Sequence, residues 1–232
     1  MPSTPAISVV VPLYNEEDNV IELQNQIAAA LAGTDYEMVL VDDGSTDATV
    51  KRVIRHERVR LLEFAKNAGQ SAAMHAGIHN ASGAVIVTLD GDLQNDPADI
   101  PAMIARLNEG YDLVCGYRAK RKDTPFKRLQ SRIANGVRSR FVGDNVRDTG
   151  CTLKVMRREC REALLLFNGM HRFIPALIGN MGYRVTEMPV NHRPRVHGVS
   201  KYGFGNRAWR ATCDMFGVRW LNSRRTRYQI KG

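Results

Sequence analysis

Clustered cysteine is absent from this chain. Cys115, Cys151, Cys160 and Cys213 lie far apart in 232 residues and form no C-x-x-C pair. That argues against a zinc site or a disulfide framework and suits a reducing cytoplasm. Long apolar runs are missing too. No stretch reaches the ~18 apolar residues of a membrane span. The opening MPSTPAISVVVP lacks the basic n-region and apolar h-region of a signal peptide. The expectation is a protein not integral to a membrane by its own sequence. Aromatic residues are few, at 7%. No RNA- or DNA-binding motif accompanies them, which weakens a nucleic-acid reading of the basic pI near 9.6. There is no G-x-x-x-x-G-K-[ST], which argues against a P-loop NTPase. No Ser/His/Asp or Cys/His nucleophile set stands out. His75 and His79 are four apart but lack the acid of an H-E-x-x-H motif, and they read as structural. His56 and His171 show no partner, while His192 and His197 lie in a basic stretch that can touch phosphate.

What the chain does have is ordinary globular composition, 44% hydrophobic and 25% charged. The length suits one domain, or one domain with a tail. The net charge of +9 conceals a division. Residues 1–117 carry 7 Lys/Arg against 17 Asp/Glu, a net of −10. Residues 118–232 carry 26 against 7, a net of +19. A basic half of this kind is either a solvated face or a partner for phosphates on nucleic acid, anionic lipid or a small molecule.

The first half alternates strands and helices. Ile7–Val11, Met38–Val41, Arg60–Phe64, Val85–Leu89 and Leu113–Gly116 are short apolar runs that read as strands. Pro12 and Asn15 would open a helix with acids in its first turn. Ser45 or Thr46 would cap a helix over Thr49–Ile54. Gly69–Asn80 is Ala-rich and helical, and Pro97 suits the first turn of another helix. Strand, helix, strand at this spacing predicts an α/β fold, a mostly parallel sheet with helices on both faces. In the second half, FKRLQSRIANGVRSRFV (126–142) places Phe126, Leu129, Ile133, Val137 and Phe141 on one helical face among basic residues. This helix packs either on a core or on an anionic membrane surface. Cys151–Met156 and Arg184–Val190 read as two more strands. Phe204–Leu221 is helical, with Trp209, Cys213, Phe216 and Trp220 on one side, and the tail is basic. The expected division is a catalytic domain over 1–203 and a basic amphipathic helix and tail over 204–232.

Ligands of a parallel sheet bind beyond the carboxyl ends of its strands. Three such ends are polar here: Tyr14-Asn15-Glu16, Asp42-Asp43-Gly44 and Asp90-Gly91-Asp92. As the chain leaves a strand, carboxylates at i and i+2 fall on one side, with Gly91 relaxing the backbone between them. Such a pair binds a hard divalent cation and leaves positions for substrate phosphates. Gln94 would add an amide oxygen. Capping the next helix does not explain Asp90 and Asp92, because Asp96 fills that role.

PLYNEEDN, VLVDDGSTD, KNAGQSAAMHAG, LDGDLQNDP and HRPRVHGVSKYG together resemble family 2 glycosyltransferases of the polyprenyl-phosphate type. The resemblance covers roughly residues 6 to 207. It implies the GT-A fold, a UDP- or GDP-linked sugar donor, Mg²⁺ or Mn²⁺, and a polyprenyl phosphate acceptor on the cytoplasmic face of the membrane. By the same resemblance, Pro12, Tyr14 and Glu16 line the base and ribose, and Asp42, with Asp43 beside it, meets the nucleoside. Gln70 lies in the donor loop with Asn67 and Gly69. Asp90, Asp92 and Gln94 hold the metal. Arg118 binds phosphate, and Asp148 sits near the sugar and acceptor phosphate. Arg195, Ser200 and Lys201 belong to a loop that closes over the diphosphate, with Gly198 as its hinge.

A lipid phosphate is already anionic at neutral pH, its second pKa being about 6, so an inverting transfer to it needs no strong base. Arg128 and Arg132 are the candidates for holding that phosphate. Peripheral attachment would use the 126–142 helix, the Trp209–Trp220 stripe and the basic tail, with a membrane-protein partner or a second copy as further expected company. The alternatives are a family 2 transferase acting on a glycan hydroxyl, a nucleic-acid-binding protein and a non-catalytic scaffold. The first would carry an E-D acid pair and Q-x-x-R-W, which are not found. Acidic strand ends oppose the second, and an intact D-x-D opposes the third.

Overall fold

The computed structural model describes residues 5–119, 136, 138–144, 146–194 and 207–226, with only the backbone of 207–211. Seven strands form one sheet: β1 Ile7–Leu13, β2 Tyr36–Asp42, β3 Val59–Glu63, β4 Val85–Thr88, β5 Leu113–Arg118, β6 Lys154–Arg157 and β7 Val185–Val190. Their order across the sheet is β3-β2-β1-β4-β6-β5-β7. Every pairing between described strands is parallel except those of β6, which runs antiparallel to both β4 and β5. The helices are α1 Val20–Ala30, α2 Thr49–Arg52, α3 Gln70–Asn80, α4 Ile100–Asn108, α5 Ile174–Asn180 and α6 Arg207–Arg224.

The central strand β1 reads ISVVVPL and is buried almost throughout, as expected of a strand covered on both faces. Its side chains alternate between two cores. Val9 and Val11 join Leu23 and Ile27 of α1 and Met103 and Leu107 of α4. Val10 faces the other way, toward Met74 and Ile78 of α3 and Ile174 and Leu177 of α5. The expected parallel sheet with helices on both faces is therefore present.

The chain builds outward from β1 through β2 to β3, then crosses back to place β4 on the other side of β1. This reversal opens a crevice at the carboxyl ends of β1 and β4, where open α/β sheets bind ligands.

Several local expectations change. The helix expected after Asn15 starts only at Val20, so Glu16 and Glu17 lie in the preceding loop. Neither Ser45 nor Thr46 caps α2. Both engage Asn15 instead, as described below. Asp96 does cap its turn, accepting from the Ala98 amide. The strand expected from Cys151 begins at Lys154, because Cys151 and Thr152 turn into side-chain contacts with the β4 exit loop. Arg138, read from sequence as part of the basic back of a helix, is drawn inward. It pairs with the buried Asp144 at 2.5 Å and donates to the Val146 carbonyl. Most of the 126–142 segment, with Arg128 and Arg132, lies outside the described residues, as do Arg195, His197, Gly198, Ser200 and Lys201.

No helix among the described residues is long and apolar enough to cross a membrane. In α6, Val218 is buried against the α3/α5 core while Phe216 and Trp220 are 61% and 64% exposed. Phe216 meets the Phe141 ring edge-on at 4.9 Å, and Arg219 stacks on that ring from 4.7 Å.

Candidate functional site

The loops after β1 and β2 interlock. Asn15 takes a left-handed conformation, φ 51°, which asparagine tolerates better than most residues. Its amide donates to Ser45 Oγ at 2.9 Å, and its Oδ1 accepts from the Thr46 amide at 2.8 Å. The Glu16 amide donates to Thr49 Oγ1, and Glu17 accepts from the Ala48 amide. Pro12, Tyr14 and Glu16 are thus held beside the Asp42-Asp43-Gly44 turn. Asp42 is buried, with Oδ2 accepting from the Ser45 amide at 3.0 Å. Its Oδ1 is buried with no hydrogen-bond partner, the kind of atom that a ligand N–H or O–H would satisfy.

Asp43 is engaged elsewhere. Its carboxylate accepts from the Ala68 and Gly69 amides and from Asn67 Nδ2, at 2.7 to 3.1 Å. It therefore clamps the loop that leads into α3. Gly44 sits beneath that clamp at φ +72°. Gln70, the first residue of α3, then donates from Nε2 to Asp90 Oδ1 at 2.7 Å.

Asp90-Gly91-Asp92 follows β4 into the crevice. A Cβ on Gly91 would meet Leu13 Cδ2 at 2.8 Å, Glu16 Cγ at 3.3 Å and the Pro12 carbonyl at 3.4 Å. Its φ is not positive. Glycine is needed there for close approach to β1, rather than for the backbone freedom expected from sequence. Asp92 is buried, and its Oδ1 accepts from the Gln94 amide at 3.2 Å. The next residues zip against the start of the basic loop. The Arg193 amide donates to the Gln94 carbonyl at 2.9 Å, and the Arg193 side chain reaches Asp96 and Gln26, each at 2.7 Å.

On the far side, Arg118 at the end of β5 grips Asp148 with two parallel bonds, Nε to Oδ2 at 2.7 Å and NH2 to Oδ1 at 2.8 Å. The pair is mostly buried, and its fork geometry holds the carboxylate oriented.

Among the buried polar residues that the sequence reading did not single out are Asn95, Thr152 and Lys154. Lys154 lies on β6 between β4 and β5 with its Nζ on the Cys151 carbonyl. A lysine in the apolar run LKVM is the one sequence signal for it. His171, expected to have no partner, shares a 2.8 Å hydrogen bond between Nδ1 and Ser71 Oγ. His75 and His79 stack at 4.1 Å. Burial pushes the Cys115 and Cys160 thiols up to about 12, so neither supplies a thiolate at neutral pH.

Among the described residues, no group of three or more His, Cys, Asp or Glu gathers for a metal. The D-x-D pair offers two hard carboxylates, which suits a Mg²⁺-type ion that completes its shell with water and substrate phosphates.

Burial, then the neighbouring Asp92 charge, pushes the Asp90 carboxyl up to about 6. The Thr152 hydroxyl, Lys154 and Gln70 pull the other way. A carboxyl held above its ordinary value of 3.8 favours the fold while protonated. That contribution is complete below about pH 4 and is lost as pH rises through about 6. In chelator, Asp90→Asn should therefore melt above the wild-type protein at pH 7, with the two curves converging toward pH 4. A gap that stays constant across that range would contradict the assignment.

The family model described as glycosyl transferase family 2 matches residues 8–165. Dodecaprenyl-phosphate galacturonate synthase of Rhizobium johnstonii is 43% identical over 223 residues, covering 91% of this chain and 66% of the relative. Undecaprenyl-phosphate 4-deoxy-4-formamido-L-arabinose transferase of Edwardsiella ictaluri is 40% identical over 205 residues, covering 85% and 63%. The chain thus spans just under two thirds of the length of these relatives. Among solved structures, glucosyl-3-phosphoglycerate synthase from Mycobacterium tuberculosis, in complex with Mn²⁺, UDP and phosphoglyceric acid, superposes with a TM-score of 0.69. It is 20% identical over 96% of this chain and 80% of that one. The agreement in fold bears out the GT-A expectation. With the sheet order, the acidic crevice and a family model spanning most of the sheet in agreement, this chain belongs to glycosyl transferase family 2.

Proposed function

We propose that this protein transfers a sugar from a nucleoside-diphosphate sugar to the phosphate of a polyprenyl phosphate, with inversion at the anomeric carbon. The observation that carries this reading is the shared edge at the carboxyl ends of the parallel strands β2, β1 and β4, where Asp42, with its buried unpartnered Oδ1, and the Asp90/Asp92 pair both lie. The two relatives named above, both polyprenyl-phosphate sugar enzymes, support the acceptor class.

In this reading the nucleoside lies along Pro12, Tyr14 and Glu16, and Asp42 Oδ1 accepts from it. Asp43 shapes the floor through the 67–69 loop rather than touching the nucleotide. Asp90 and Asp92, with Gln94, would hold Mg²⁺ or Mn²⁺, which supplies positive charge for the departing diphosphate. The Mn²⁺ and UDP of the mycobacterial structure accord with this.

An oxygen of the acceptor phosphate attacks the anomeric carbon in line as the bond to the donor's β-phosphate breaks. The electron pair leaves with the nucleoside diphosphate. The attacking phosphate is already anionic, so no side chain has to take a proton. Asp148, fixed by Arg118, orients the sugar or acceptor. Two anionic phosphates repel at this point, and basic groups aimed at them lower the barrier. Arg118 is one such group, and Arg128, Arg132, Arg195, Ser200 and Lys201 are proposed to join it.

The donor base and sugar are tested together. A panel of UDP-glucose, GDP-mannose, a UDP-uronic acid and a UDP-linked modified pentose is incubated with undecaprenyl phosphate and Mn²⁺ or Mg²⁺. Mass spectrometry should detect one glycolipid of the donor sugar plus the lipid phosphate. No glycolipid from any donor would count against the reading.

Peripheral membrane attachment belongs to the same proposal. Cys213, Phe216 and Trp220 face outward on α6, flanked by Arg219 and Arg224. Basic residues near an anionic surface contribute about 1 kcal/mol each, and apolar side chains add burial. The protein should sediment with anionic vesicles at low salt, and Phe216→Ala/Trp220→Ala together should weaken that at least about tenfold. Equal recovery with neutral vesicles at high salt would contradict it.

A further inference from the structure

Backbone strain sits between two of the candidate cation contacts. Leu93, flanked by Asp92 and Gln94, is left-handed at φ 60°. Among the described residues other than glycine, only Asn15 shares that conformation. Leucine has neither the freedom of glycine nor the short polar side chain of asparagine. A residue held this way persists only where its surroundings over-determine it. One restraint is apolar: the Leu93 side chain is buried in the same core as Leu13, Leu23 and Ile100. The turn brings the Gln94 amide onto Asp92 Oδ1 at 3.2 Å.

The other restraint is Arg193. Its amide donates to the Gln94 carbonyl at 2.9 Å, and its carbonyl accepts from Gln94 Nε2 at 3.5 Å. The pairing continues as a bridge between Asn95 and His192. The guanidinium then spreads to two partners. One arm meets Asp96 Oδ1 and the other donates to Gln26 Oε1 on α1, each at 2.7 Å. Gln26 Nε2 donates to Glu22 at 2.7 Å, which leaves its oxygen turned to Arg193. Arg193 thus ties the cation loop, α1 and the chain after β7 together at one point. A planar fork can do this, and the point charge of a lysine cannot. A basic residue in HRPRVHGVSKYG invites a phosphate role, yet this side chain is committed to Asp96 and Gln26.

We propose that Arg193 is a positioning residue for the divalent-cation site, clamping the strained Asp92–Gln94 turn in its ligating shape. This rests on the reading of Asp92 and Gln94 as cation contacts. Arg193 touches neither sugar nor phosphate in this account. Its removal raises the KM for the cation and leaves kcat at saturating cation within about threefold.

The test titrates Mn²⁺ into wild-type protein, Arg193→Met and Gln26→Ala by calorimetry, with saturating UDP and GDP in separate arms. Each nucleotide is also titrated alone in chelator, and thermal unfolding in chelator monitors the fold. Methionine keeps an unbranched stem and removes the fork. Gln26→Ala loosens the clamp from α1, at a residue outside the proposed nucleotide and phosphate contacts. The expected result is Mn²⁺ affinity at least about tenfold weaker in Arg193→Met, in the range for groups that support metal ligands. Gln26→Ala should weaken it about threefold, the worth of one hydrogen bond. Nucleotide affinity in chelator should stay within about twofold of wild type in both, because the clamp acts on the cation loop alone. Wild-type Mn²⁺ affinity in either variant would overturn the proposal. So would an equal loss of nucleotide affinity in chelator, which would mark Arg193 as a phosphate ligand. Wild-type protein that binds no Mn²⁺ in either arm would overturn the cation reading and this inference together.

Discussion

Asp92→Ala loses metal-dependent sugar transfer by about 10³-fold or more and keeps its fold. Two carboxylates one residue apart are the minimum that the crevice offers to a cation, and removing one leaves Asp90 alone. The fold should survive because the two charges oppose each other in the ligand-free protein. The Asp92 charge raises the proton affinity of Asp90, so its removal relieves repulsion. Among the described contacts, what is lost is the hydrogen bond from the Gln94 amide, worth about 1 kcal/mol. In chelator the variant should melt within about 2 °C of wild type. Transfer assayed with Mn²⁺ should fall below detection. Near-normal turnover would contradict the cation assignment.

Gly44→Ala acts through the opposite route, with a large effect on stability. The residue sits at φ +72°, and a Cβ there would meet the backbone nitrogen of Asn67 at 2.7 Å and the carbonyl carbon of Lys66 at 2.8 Å. A left-handed conformation costs a non-glycine residue about 1–2 kcal/mol. Backbone that cannot retreat adds to this. The 66–69 loop is clamped by Asp43 on the same side, so it has nowhere to move without breaking those bonds. A total of about 3 kcal/mol is expected, a large fraction of a domain's stability. That corresponds to melting about 6–12 °C lower. Transfer should fall as well, because displacing the loop moves Gln70 away from Asp90. A variant that melts within 2 °C of wild type would show that the turn is not held as described.

Much of this was legible in the sequence, for identifiable reasons. Strands buried on both faces are written as unbroken apolar runs, so VVV, MVLV and VIV marked β1, β2 and β4 within a few residues. The polar groups that follow them could be assigned to one edge, since parallel strands share a direction. Asp96 was readable as a cap because proline follows it at once. The missed features depend on partners distant in sequence. Asn15 and Ser45 are 30 residues apart, and Ser45 looked like a cap because nothing local showed Asn15 in the neighbouring loop. Gly91 looked like a flexible joint, yet its neighbour is Leu13 on another strand. Arg138 is the exception: it carried the signature of a solvated helix back, and its partner Asp144 is only six positions on, past the turn at Gly143, where helical periodicity does not show it. Thr152 and Asn95 are 57 positions apart, and each alone is an unremarkable polar residue. The antiparallel β6 brings the turn before it against the β4 exit, and that topology creates the network.

The central claim is that the acceptor is a phosphate, used because it is already charged and needs no base. One comparison tests it directly. The active donor is incubated with undecaprenyl phosphate or with undecaprenol, under the same Mn²⁺ and detergent, and products are read by mass spectrometry. The account predicts a sugar–phosphate-linked lipid from the first and no product from the second. A glycosylated undecaprenol, with undecaprenyl phosphate left unmodified, would contradict it.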